Sequence, residues 1–109
     1  MQHQDINRIE ICGKVGTVRL NEVQGLKVAN FSVATECVFV KNDGFIVSET
    51  TWHNVTSWQK EDGPSLDDLQ KGCRVHLTGR LRTQRYTAAD GTERNYNEII
   101  TDNLKIVKE

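Results

Sequence analysis

The strongest constraint in this sequence is an alternation. From Cys73 to Tyr86, small or apolar residues (Val75, Leu77, Gly79, Leu81) take every second place, with Arg74, His76, Thr78, Arg80, Arg82, Gln84 and Tyr86 between them. Successive side chains of a β-strand point to opposite faces, so a period of two predicts a half-buried strand. A solvated strand face is normally mixed in charge. Three arginines leading to a tyrosine suit an anionic, planar partner instead. Asp90-Gly91 then signals a hairpin, with the chain returning through Glu93 to Ile100.

The same logic recurs upstream. A strand from Phe45 to Trp58 places Thr50, Trp52, Asn54, Thr56 and Trp58 on one face and Thr51, His53, Val55 and Ser57 on the other. Both tryptophans thus keep polar company, which weighs against a purely core role. The first strand is predicted over Ile6 to Val18, with Ile9, Ile11 and Val15 opposite Arg8, Glu10 and Lys14. Gly13 and Gly16 interrupt it as bends or bulges that turn the corner of a small barrel. Asn21 to Gly25 reads as a loop, Leu26 to Val40 as a long second strand, and Lys41-Asn42-Asp43-Gly44 as a hairpin turn. After Gly63-Pro64, the stretch from Ser65 to Gln70 is the one helix candidate, stopped by Gly72. Asn103 to Val107 closes the chain as a final short strand segment. Five strands with one short helix between the third and fourth predict an all-β OB-fold barrel, a fold whose second and third strands bind oligonucleotides or oligosaccharides.

At 109 residues the chain has room for one domain, spanning 1–109, and no apolar run reaches the roughly 20 residues of a membrane helix. The N-terminus, MQHQDINRIE, lacks the order of a signal peptide, so a cytoplasmic protein is expected. Cys12, Cys37 and Cys73 form no C-x-x-C pair and no zinc-ligand spacing, and read as reduced thiols packed as small hydrophobes. The formal net charge of −1 conceals a sorting along the chain. From Lys71 to Arg94 six cations (Lys71, Arg74, Arg80, Arg82, Arg85, Arg94) face two anions (Asp90, Glu93). Glu61, Asp62, Asp67 and Asp68 form an acidic stretch without ligand spacing, read as a solvated face.

Several pieces now come together: Asn7-Arg8-Ile9 with Gly13-x-Val15-Gly16, Phe31-Ser32-Val33-Ala34-Thr35, Thr51-Trp52-His53-x-Val55, Lys71-Gly72, and Gly79-Arg80-Leu81-Arg82-Thr83 before the Asp90-Gly91 hairpin. In this order and spacing they resemble the DNA-binding domain of bacterial single-stranded DNA-binding protein, over nearly the whole chain. The resemblance implies base stacking on aromatics at the positions of Phe39, Trp52, Trp58 and Tyr86. It implies phosphate contacts from Arg80, Arg82 and Arg85, with Lys60, Lys71 and Arg8, and a subunit-interface role for His53 in a homotetramer. Phe39 shares its parity with Phe31 and Val33, so a bulge or the end of the strand is needed to turn it outward.

The function so implied is sequence-independent coating of single-stranded DNA in replication, recombination and repair, without cofactor, metal or catalysis. Members of the family continue into a linker and an acidic tail that recruits enzymes. This sequence stops at Lys108-Glu109, so tail-mediated partners are not expected of it. Two other readings stay open: a dimeric primosomal replication protein, and an OB-fold module binding oligosaccharide or protein. The arginines disfavour a neutral sugar, because guanidinium matches phosphate or carboxylate. A nuclease built on Asp67 is the enzymatic alternative, and it lacks any partnering histidine.

Overall fold

The computed structural model of the chain describes residues 4–107, so Lys108 and Glu109 lie outside it. Five strands are present: β1 (Ile9–Val23), β2 (Leu26–Val40), β3 (Ile46–Trp58), β4 (Arg74–Thr87) and β5 (Glu93–Val107). They close in the order β1-β2-β3-β5-β4. All pairings are antiparallel except the seam between β3 and β5. That seam is parallel and joins only Val55 to Ile99 and Thr56 to Ile100.

The predicted alternation decides what fills the barrel. Ile11, Val15, Phe31, Val33, Val55, Val75, Leu77 and Ile99 are buried together, while Arg80, Arg82, Trp52 and Tyr86 on the other phases stay exposed. Leu66 and Leu69, from the connection between β3 and β4, are buried in the same core cluster. The helix expected over Ser65 to Gln70 is a single 3-10 turn, Leu66–Asp68, capped by the Ser65 hydroxyl. So short a segment cannot sustain helix by itself, and the burial of its two leucines holds it instead.

Two boundaries differ from expectation. β1 runs on to Val23, and the loop expected at Asn21 to Gly25 is a two-residue hairpin at Gln24-Gly25, with φ of 52° and 82°. Both signs are those of a type I′ turn, which glutamine rarely announces. The expected bend at Gly16 is real. Between Val15↔Val33 and Val18↔Phe31 the register slips by one, leaving Gly16 and Thr17 opposite Ser32. Ser32 fills the bulge, its Oγ accepting the Thr17 N–H at 3.0 Å. Finally, β5 is one strand rather than two. Asp102 is its extra residue, between Thr78↔Asn103 and Gly79↔Thr101, so the inward phase passes from Ile99 to Leu104 and the sequence alternation breaks.

The cysteines are free thiols, but only Cys73 packs against the core; Cys12 and Cys37 are exposed. Cys12 lies on the outward phase of β1, between inward-facing Ile11 and Gly13. Cys37 lies where β2 has left the barrel. This corrects the expectation that all three are small core hydrophobes.

Candidate nucleic-acid interface

The outer face of β2 and β3 carries Ser32, Ala34 and Asn30 across from Asn54, Trp52 and Thr56. Trp52 is 60% exposed, and its ring lies over the β1 bulge. A Cβ added at Gly16 would come within 2.6 Å of that ring, so glycine is what lets the indole approach the strand this closely. Lys71 belongs to this end of the site: the following residue, Gly72, donates its N–H to Val15 O at 2.8 Å, one residue from Gly16. Trp58 is 41% exposed at the other end of β3. It borders a groove of about 510 Å³ shared with Lys60, Asp102 and Lys105. The Lys60 ammonium donates to the backbone carbonyl of Asp102 at the β5 bulge.

The opposite wall is the β4–β5 hairpin. Its register pairs Arg82 with Glu98, Gln84 with Tyr96 and Tyr86 with Arg94, so these six side chains share one face. Gly91 at φ 85° makes the tight turn, and Asp90 accepts from the Thr92 N–H and hydroxyl at 3.0 and 2.6 Å. Those hydrogen bonds hold the Asp90 carboxyl below its ordinary pKa. The rings of Tyr86 and Tyr96 meet edge to face, with centroids 5.8 Å apart and planes at 60°. Both stay roughly half exposed.

Between the walls runs a groove of about 520 Å³ lined by Arg19, Asn30, Asn54, Thr56, Tyr96 and Glu98, among others. Its polar floor is a connected row. Gln84 Nε2 donates to Glu98 Oε1 at 2.6 Å, and Thr56 Oγ1 lies 2.9 Å from Glu98 Oε2 and 2.8 Å from the side-chain oxygen of Asn30. This row ties the β4–β5 hairpin to β3 beside the two-residue seam.

Trp52, Trp58 and Tyr86 are thus all exposed, as the sequence led us to expect. Phe39 is exposed as well, at 41%, but by a different route. No bulge turns it, since the β2–β3 register is unbroken from Val28↔Trp58 to Val40↔Ile46. It keeps the inward pleat phase of Phe31 and Val33 and becomes exposed because the hairpin outruns the barrel. Phe39 and Trp52 therefore start from opposite pleat phases.

The cations divide similarly. Arg80 and Arg82 share the Tyr86 phase, whereas Arg85, paired with Asn95, takes the other. None of these three arginines forms an ion pair within the described residues. Arg8 lies beside Arg80 in a small groove, positioned by Asn7, whose amide bonds both the N–H and the carbonyl of Leu81 at 2.9 and 2.7 Å. His53 is half-buried on the barrel-facing phase opposite Val33, 2.9 Å from the Thr35 hydroxyl, and burial lowers its pKa.

Sequence reasoning missed Tyr96 and Glu98. The signal was present: with Asp90-Gly91 as the turn, hairpin register brings Tyr96 onto the Tyr86 face.

Comparison with known proteins agrees with this geometry. The chain is 34% identical over 106 residues to the single-stranded DNA-binding protein of Neisseria meningitidis, covering 94% of this chain and 60% of that one. It is 28% identical to the Xylella fastidiosa single-stranded DNA-binding protein, covering 94% and 63%. The chain thus spans about three-fifths of the length of these relatives. Among solved structures, a Plasmodium falciparum SSB in complex with ssDNA superposes with a TM-score of 0.79 at 27% identity, covering 99% of this chain and 100% of that one. The single-stranded DNA-binding protein from Thermus aquaticus, at 18% identity and a TM-score of 0.75, covers 94% of this chain and 51% of its own, and shares the fold. The model of the single-strand binding protein family matches residues 6–107, and the chain belongs to that family.

Proposed function

We propose that this chain binds single-stranded DNA without requiring a particular sequence, coating and protecting it during replication, recombination and repair. The observation that carries this reading is the pairing of exposed rings with arginines that form no ion pair among the described residues. Trp52 stands on one wall, and Tyr86 and Tyr96, with Arg80 and Arg82, stand on the other. Every base has a π-face, so stacking tolerates sequence and contributes about 1–3 kcal/mol per base. Arginines neutralise phosphates and release condensed counterions, which makes affinity fall with salt. Trp52, Trp58, Tyr86 and Phe39 are the stacking residues of this reading. Arg80, Arg82 and Arg85, with Lys60, Lys71 and Arg8, are its phosphate contacts. Binding needs neither cofactor nor catalysis.

A cytoplasmic homotetramer, with His53 at a subunit interface, completes the proposal. Its support is family membership, and native mass measurement tests it. A tetramer is expected, a dimer would favour the primosomal reading, and a tetramer unchanged by His53→Ala would remove that residue from assembly. The binding itself is tested by fluorescence anisotropy of a labelled thymine oligonucleotide at two salt concentrations. Saturable binding that weakens with salt and resists unlabelled duplex is expected; equal competition by duplex would overturn the proposal.

A further inference from the structure

The chain has two tyrosines, Tyr86 and Tyr96, and both stand on the β4–β5 hairpin. They sit diagonally across the two strands, because the register pairs Tyr86 with Arg94 and Tyr96 with Gln84. Their centroids are 5.8 Å apart and their planes meet at 60°. A base held between two rings needs them parallel and about 7 Å apart, twice the spacing of stacked bases. The pair is therefore no slot for a base. An edge-to-face contact covers one face of one ring and only an edge of the other. Tyr86 and Tyr96 accordingly stay 47% and 42% exposed, and offer two open surfaces set at an angle.

The two rings differ in their surroundings. Tyr96 lines the groove of about 520 Å³ together with Thr17, Ser32 and Asn54, and Tyr86 is not part of that lining. The other ring bordering the groove, Phe31, belongs to the core and is 4% exposed, so Tyr96 is the groove's one open ring among the described residues. On its β1 side the groove reaches Ser32, whose Oγ shares with the Trp52 ring the space above Gly16, 2.7 and 2.6 Å from where a Cβ there would stand. A strand of DNA passing from Tyr86 to Trp52 thus crosses a polar floor on which Tyr96 supplies the π surface.

We propose that Tyr96 is a base-stacking residue in its own right, and that Tyr86 and Tyr96 take neighbouring bases unstacked from one another, so that the strand bends from the hairpin into the groove. Two bases lying each on its own ring are inclined by the 60° between the rings, and cannot stack on each other as neighbours in a regular strand do. Each base exchanges a neighbouring base for a ring, which leaves the site tolerant of sequence. The inference rests on the single-stranded DNA reading and adds to it a further stacking ring and a course for the strand.

A cross-strand aromatic pair also steadies a hairpin, so the test separates stacking from support. Affinity for a thymine oligonucleotide is measured by anisotropy for the intact protein, Tyr86→Ala, Tyr96→Ala and the double variant. Each single change is expected to weaken binding at least about fivefold, the lower end for one stacked base, and the second change to weaken it by about fivefold again. Tyr96→Phe, which keeps the ring, should recover most of what Tyr96→Ala loses. Tyr96→Leu, which keeps apolar bulk without a π-face, should not. A double variant that binds no more weakly than Tyr86→Ala would make Tyr96 a mere support for Tyr86 and overturn the proposal, as would Tyr96→Ala binding as tightly as the intact protein. One measurement needs no alanine variant to fold. With ring-labelled tyrosine the chain gives the NMR signals of two rings, assigned through Tyr96→Phe, and both should move when the oligonucleotide is added to the unaltered protein. A Tyr96 signal that stays in place while that of Tyr86 moves removes Tyr96 from the site and leaves the single-stranded DNA reading standing. Failure of the intact protein to bind the strand at all would overturn that reading, and this inference with it.

Discussion

Two hairpins leave the same barrel and differ in what they carry. The β2–β3 arm, beyond Thr35 and Thr51, exposes Val38, Val40, Phe45 and Ile46, and between Glu36 and Thr50 it holds three carboxylates against one lysine, Lys41. The β4–β5 arm sets Tyr86 and Tyr96 in edge-to-face contact and adds Arg80, Arg82 and Arg94 on the same face. The pairing register is unbroken along both arms, yet past the barrel the pleat no longer separates buried from exposed. Ring and charge content, rather than periodicity, then distinguishes the arm suited to a polyanion with flat bases.

The largest effect separates barrel from arm. Leu77 is fully buried, so Leu77→Ala should lower unfolding stability by about 2–5 kcal/mol in denaturant titration. Ile46→Ala at the arm tip should change it by less than about 0.5 kcal/mol. A comparable loss at Ile46 would mean that the arm is part of the cooperative core.

Next comes the contrast between the arms themselves. Tyr86→Ala should weaken binding of a thymine oligonucleotide by about 1–3 kcal/mol with little change in Tm. Phe39→Ala, starting from the pleat phase opposite Trp52, should cost less than the lower end of that range. Equal losses would show that twist brings both arms onto one strand of DNA. Among cations, Arg80→Ala should reduce the slope of log K against log salt by about 0.7, the increment for one phosphate on a single strand. Lys41→Ala should leave the slope unchanged.

The smallest effect lies at the arm's root. Burial holds the His53 pKa below its ordinary value of 6.5, so the unfolded chain binds the proton first as pH falls. Stability should therefore decline as pH drops below about 6.5 and on through the lower folded pKa. His53→Gln should flatten that decline in melts across this window. A steeper decline in the variant would contradict it.

Much of this was legible in the sequence, and the exceptions have physical causes. Val75, Leu77 and Val55 fell on the buried face because a closed barrel turns every second residue inward. Leu81, on the same phase, is exposed because β4 has already left the core. Alternation cannot report where a core ends. The split assigned to β5 came from Asp102, whose bulge shifts the inward phase by one residue. Within the loop expected at Asn21 to Gly25, the turn at Gln24-Gly25 does not announce itself, because the residue types that favour positive φ are only half present there. Trp52, Trp58 and Tyr86 were found from local pattern and resemblance. Tyr96 and Glu98 matter through partners on other strands, which no local window contains.

The most direct test of stacking in an electrostatic groove is intrinsic fluorescence, since the chain has two tryptophans, Trp52 and Trp58, both exposed on the outer face. Titration with a long thymine oligonucleotide should quench both strongly, less so at higher salt, while duplex DNA leaves the emission unchanged. Emission unaffected by the single strand at either salt, or quenched equally by duplex, would contradict base stacking at this face.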